Sequence, residues 1–141
     1  MNWSGKWKSL WIRYTGKSGF NNKERLAKAG FMERAELFCC SHSEVGERIH
    51  ENIQAFTMNL GYLPGGDKQI ITRSESTVAA LKALTQLLSP GGLGLVLIYY
   101  GHPGGKEEKE AVETFMQEMP SGWGRNFADE IDVEKLSANF I

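Results

Sequence analysis

The stretch from Ser74 to Tyr100 constrains the fold most. Val78, Leu81, Leu84, Leu87 and Leu88 recur at three- and four-residue steps, the period of a helix with one apolar face, and Ser74 stands where a helix cap belongs. Pro90-Gly91-Gly92 closes that helix, and residues 93–100 follow as a nearly continuous apolar run of strand length. A strand apolar on both sides is covered on both faces, the habit of a parallel sheet lying between helices. Upstream, residues 35–40 and 53–58 read as two further buried strands, with a short helix or turn over 43–50. Residues 22–29 look like the last turns of a helix closed by Gly30, and the helix after Gly105 buries Ala111, Val112, Phe115 and Met119. Strands alternating with helices over residues 22–119 imply right-handed crossovers and one parallel sheet, an α/β architecture.

Composition narrows the class further. With 141 residues, 41% of them hydrophobic, and a net charge of −1, the chain suits one globular domain whose core needs neither disulfide nor metal. No apolar run reaches the roughly 18 residues of a membrane span, and no secretory h-region opens the chain, so a cytoplasmic protein without a membrane partner is expected. Cys39 and Cys40 are neighbours in an apolar stretch and read as a buried pair of thiols. His42, His50 and His102 lack the spacing of a metal site, and no serine or cysteine sits on a strand-to-helix elbow.

Residues 1–20 stand apart: Trp3, Trp7 and Trp11 lie among Lys6, Lys8, Arg13 and Lys17, with no acid. The four-residue Trp spacing marks one face of a helix. Two readings stay open, a basic aromatic strip for RNA or a membrane surface, and an extension with no role of its own.

In an open parallel sheet, ligands bind at the carboxyl ends of the strands. Three loops qualify: Ser41-His42, the run from Asn59 to Lys68, and the run from Gly101 to Gly105. Asn59, followed three residues later by Tyr62, puts an amide oxygen, backbone carbonyls and an aromatic face close together, which suits an amine-bearing planar substrate. A tight turn made by Asn and Gly explains the same residues. Gly61 and Gly66 have the Walker spacing, but Asp67 stands where the lysine is required. Gly104, Gly105 and Lys106 open a helix whose N–H groups could meet an RNA phosphate, and His102 beside them is a candidate for substrate contact.

These loops resemble a bacterial family of S-adenosylmethionine-dependent methyltransferases, the rRNA methylase-like proteins of the MnmM (YtqB-like) type. The resemblance rests on N-L-G-Y-L-P-G-G-D-K from Asn59 to Lys68, L-L-S-P-G-G from Leu87 to Gly92, and Y-Y-G-H-P-G-G-K-E-E-K-E from Tyr99 to Glu110, and covers about residues 23–119. It implies a class I methyltransferase fold, a Rossmann-like three-layer sandwich. It also implies S-adenosyl-L-methionine as cofactor, the tRNA anticodon region as partner, and methyl transfer to the amine of a 5-aminomethyl-(2-thio)uridine.

Under that resemblance Asn59 and Tyr62 are catalytic, and Ser41, His42, Asn59, Leu60 and Gly61 bind the cofactor. Pro64, Gly65, Gly66, Asp67 and Lys68, together with His102, Pro103, Gly104 and Gly105, face the substrate. No metal is expected. Cys40-Ser41-His42 stands where the family has Asp-Ser-His, so a carboxylate for the adenine amine is missing. The opening D-x-x-x-G-x-G turn has no match, so the expected fold is truncated in its N-terminal, cofactor-binding half. The chain then divides into a divergent or disordered segment (1–22), a methyltransferase-like α/β domain (23–120) and a divergent tail (121–141). An incomplete sheet has open edges that a second copy could pair with, which allows a homodimer. Two alternatives stand beside the enzyme: a catalytically inactive remnant of the family, and an RNA-binding module without activity.

Overall fold

Apolar residues at helical spacing make the centre of this molecule. The computed structural model describes residues 8–13, 23–61 and 71–123. In chain order these form β1 (Ser9–Arg13), a helical turn α1 (residues 23–28), β2 (Ala35–Cys39), a 3-10 turn (His42–Glu44), α2 (Val45–Arg48), β3 (Ile53–Leu60), α3 (Ser74–Leu87), β4 (Leu88–Ile98) and α4 (Gly105–Glu118). Both strand pairings are parallel: β1 with β2 in even register from Ser9↔Ala35 to Arg13↔Cys39, and β3 with β4 from Ile53↔Leu88 to Leu60↔Ile98.

The core lies where α3 crosses the second pair. Ala80, Leu81 and Leu84 of α3 are buried with Val45 and Ile49, with Met58 and Leu60 of β3, and with Val112 of α4. Burying a leucine such as Leu81, 1% exposed, stabilises the fold by about 2 kcal/mol. Leu10 and Ile12 of β1 pack on the margin of this cluster, as do Phe115 and Met116 of α4.

Gly30 closes α1 as the sequence indicates. Its φ is +73°, its N–H donates to Ala27 O, and the next N–H, of Phe31, donates to Leu26 O, the Schellman pattern that only a left-handed residue completes easily.

Several expectations change. The three anticipated strands do not share one ladder, because β2 takes its hydrogen bonds from β1 and forms a sheet separate from β3–β4. Ser9–Arg13 is therefore a strand within the fold: Trp11 belongs to β1 and donates its indole N–H to Ser9 Oγ, whereas Trp3 and Trp7 lie outside the described residues. Arg73 occupies the cap position of α3 and Ser74 is its first helical residue.

Leu88 leaves the helix to pair with Ile53, so Pro90-Gly91-Gly92 does not end α3 but forms an excursion inside β4, between the pairs Ile53↔Leu88 and Ala55↔Leu93. β4 is also not covered on both faces. Leu93 is 69% exposed and Leu95 46%, because α3 lies against one side of the pair only. Cys39 is exposed and Cys40 half-buried, so they are not the buried pair that the apolar stretch suggests; both are thiols. The tail beyond residue 123 lies outside the described residues.

Candidate active site at the strand ends

The carboxyl ends of β3 and β4 come together because the two strands run parallel and in register to their last residues. Asn59 pairs with Leu97 and is exposed, while its neighbour Leu60 is buried in the core. The ladder continues one step further: Tyr99 N–H donates to Leu60 O at 3.3 Å. Gly61 then turns the chain with φ +118°, a backbone angle that a side chain rarely adopts. A Cβ on Gly61 would meet Tyr99 Cβ at 3.2 Å and His102 Nε2 at 3.4 Å. Thus Gly61 faces Tyr99 and His102 across a gap sized for hydrogen.

That second loop is held by its own glycines. Gly104, with φ +82°, sits at the cap of α4, and Gly105 is buried so closely that a Cβ would meet the Tyr100 backbone at 2.7–2.8 Å. His102 Nδ1 lies 3.0 Å from Pro103 O. His102, Pro103 and Gly104 line an open depression of about 410 Å³ with Lys106 and Glu107 at its rim. Gly105 is packed beneath Tyr100 rather than presented to that surface. Tyr62, Pro64, Gly65, Gly66, Asp67 and Lys68 lie outside the described residues.

Ser41 and His42 follow β2. Ser41 caps the 3-10 turn: its Oγ accepts from Ser43 N–H, and its own N–H donates to Glu44, which completes a capping box. The Arg48 guanidinium and the Ser41 N–H hold the Glu44 carboxyl below the usual range. Burial and the neighbouring Glu44 push the Cys40 thiol up. His42 is turned inward, Nε2 to Thr77 Oγ1 at 3.3 Å, and burial lowers its pKa against the opposing pull of Glu108.

Three residues that the sequence did not single out connect these parts. Glu108 is fully buried and accepts from Thr72 Oγ1 at 2.8 Å and from Thr77 Oγ1 at 2.6 Å. Thr72 Oγ1 in turn accepts the Gly61 N–H at 2.7 Å, and Thr72 N–H donates to Gly61 O. The charged run from Lys106 to Glu110 reads as solvated surface. Only the 105/108/112 spacing places Glu108 on the buried face of α4, with Gly105 and Val112. Among the described residues no cluster of His, Cys, Asp and Glu could hold a metal ion, and no helix is long and apolar enough to cross a membrane.

Comparison with known proteins bears on what such strand ends do. Residues 19–129 match the family described as "Putative rRNA methylase". The chain is 50% identical over 94 residues to "tRNA (mnm(5)s(2)U34)-methyltransferase, chloroplastic" of Arabidopsis thaliana, a match that takes in 64% of this chain and 34% of that protein. The chain thus spans about a third of that relative's length.

Among solved structures it is similar to a "putative rRNA-methylase" from Clostridium thermocellum, with TM-score 0.79 and 31% identity over 89% of this chain and 69% of that one. It is also similar to a "putative methyltransferase" from Streptococcus mutans in complex with SAH. There the TM-score is 0.75 and the identity 26%, over 89% of this chain and 70% of that one.

Proposed function

The chain belongs to the rRNA methylase family, and from that premise we propose that it is an S-adenosylmethionine-dependent methyltransferase acting on the aminomethyl group of a tRNA wobble uridine. The 50% identity to a tRNA methyltransferase carries this reading. The fold is in keeping with it: a Rossmann-like α/β unit of parallel strands, with its candidate residues at their carboxyl ends.

A ligand can reach these strand ends at Asn59, which is exposed, while the missing side chain of Gly61 lets the turn after it close against Tyr99 and His102. Ser41, His42, Asn59, Leu60 and Gly61 are the described residues that would hold the cofactor, which supplies an electrophilic methyl group when bound. The substrate amine must present a neutral nitrogen with its lone pair in line with that methyl. The Asn59 amide oxygen can accept one of the amine's N–H bonds and so set the direction of the lone pair, a contribution of orientation more than of charge. Tyr62 would pack on the base, and His102, Pro103 and Gly104 offer a surface for the anticodon beside the depression.

The test is a methylation assay with labelled S-adenosylmethionine and a tRNA carrying 5-aminomethyluridine at the wobble position. Label in the tRNA is expected, and Asn59→Ala should lower kcat/KM on the order of 100-fold. A folded chain that neither labels tRNA nor binds S-adenosylhomocysteine is the inactive remnant. RNA binding that is strongly salt-dependent and disappears when residues 1–20 are deleted identifies the RNA-binding module instead.

A further inference from the structure

We infer that Glu108 is a positioning residue: from its buried place in α4 it holds Thr72 Oγ1 as the acceptor of the Gly61 N–H, and through Thr77 it fixes the direction of the hydrogen bond at His42. This rests on the reading of Gly61 and His42 as cofactor-side residues.

The argument is one of donors and acceptors. Both carboxylate oxygens of Glu108 receive a threonine hydroxyl, and an ionised carboxylate can only accept. Each hydroxyl has one hydrogen and spends it on Glu108, so each threonine oxygen must accept from whatever else touches it. For Thr72 that donor is the Gly61 N–H, which holds the turn after Asn59 in place. For Thr77 it is His42 Nε2, 3.3 Å away, which must then carry the hydrogen. A neutral His42 is thereby set as the Nε2–H tautomer, with Nδ1 left as its acceptor. Lowering of the His42 pKa by burial is consistent with the neutral ring.

An apolar residue in place of Glu108 would fill the space without the cost of burying a charge, but it would leave two threonine hydroxyls without their acceptor. A glutamine would have to turn one hydroxyl round. The Gly61 N–H cannot reverse its role, whereas a histidine can move its hydrogen to the other nitrogen. In Glu108→Gln the amide NH2 therefore faces Thr77, the Thr77 hydroxyl donates to His42 Nε2, and His42 changes tautomer.

The experiment uses the full chain with 15N-labelled histidine. Long-range 1H–15N spectra read the tautomer of His42, assigned from the signals lost in His42→Gln, and calorimetry with S-adenosylhomocysteine reads the site. The Nε2–H pattern is expected in the unmodified chain. Glu108→Gln should move it to the Nδ1–H pattern and weaken S-adenosylhomocysteine by about 10-fold, the worth of a hydrogen bond or two. Thr77→Val should release the His42 tautomer alone, and Thr72→Val should speed amide exchange at Gly61 alone.

Three results overturn the inference: a His42 tautomer unchanged in Glu108→Gln, one unchanged in Thr77→Val, or a change of tautomer that leaves the affinity of a binding-competent chain as it was. If Glu108→Gln does not fold, the two threonine variants decide by the separation of their effects. An unmodified chain that binds no S-adenosylhomocysteine, yet changes its His42 tautomer in Glu108→Gln, refutes the cofactor reading and leaves the hydrogen-bond control standing.

Discussion

β1–β2 and β3–β4 are both parallel pairs with a regular ladder at their centre, yet they differ in what they bury. The first pair joins five residues to five in unbroken register, and none of its residues with a described side chain is fully buried. Met58 and Leu60 of the second are 7% and 3% exposed because α3 lies over them. Hydrogen bonds between strands set which residues stand opposite each other, and the apolar face of a helix decides which of them leave water. The pair beneath α3 is also the one whose ends carry Asn59 and Gly61.

The sharpest way to break this comparison is to remove the helix contact. Leu81→Ala should lose about 3 kcal/mol in urea unfolding, a large fraction of what a domain of this size has; a loss no larger than that from the outer pair would abolish the distinction. The link between the pairs is read by pH. Burial holds the His42 pKa below its ordinary value of 6.5, so the unfolded chain takes up the proton first. Its contribution to stability is then fully present above about pH 6.5 and is lost as pH falls below it toward the folded value. The slope of unfolding free energy between pH 7 and pH 5 should flatten in His42→Gln.

Leu10, only partly buried at the margin of the core, should lose about 1 kcal/mol in Leu10→Ala. Smallest of all is the ion pair from Lys8 to Glu36, whose side chains are 67% and 49% exposed. Lys8→Ala should change the thermal midpoint by no more than the equivalent of about 0.5 kcal/mol, and less still in high salt.

The parts of this molecule that sequence makes legible are those set by local rules. The α3 period, the Gly30 stop and the glycine loop before α4 all follow from spacing or from backbone angles that only glycine takes easily. What depends on distant partners is less visible. Trp11 at a four-residue step from Trp7 suggests a helix, but the segment pairs with Ala35–Cys39 and is extended. Pro90-Gly91-Gly92 has the chemistry of a terminator, but the strand has already begun at Leu88 when it arrives.

The exposed face of β4 could not be read from its apolar run, because that run states only what could be covered. At the strand ends, Asn59, Gly61 and His102 stand out as residue types, whereas Glu108 is hidden in a charged run and is revealed by what it touches.

The excursion at Pro90-Gly91-Gly92 has a consequence for how this chain can change over time. Helix α3 passes into β4 with no connecting residue, so an insertion at Leu87–Leu88 would rotate every side chain of one element against the other. A few residues on, the tip of the excursion at Gly91 has open space around it, while Gly92 is packed against Leu88 and Gln54. Length gained or lost at that tip leaves the register from Ala55↔Leu93 to Leu60↔Ile98 untouched. The molecule thus carries a splice point inside a strand, where sequence can drift or a label can be grafted without moving the end that bears Asn59.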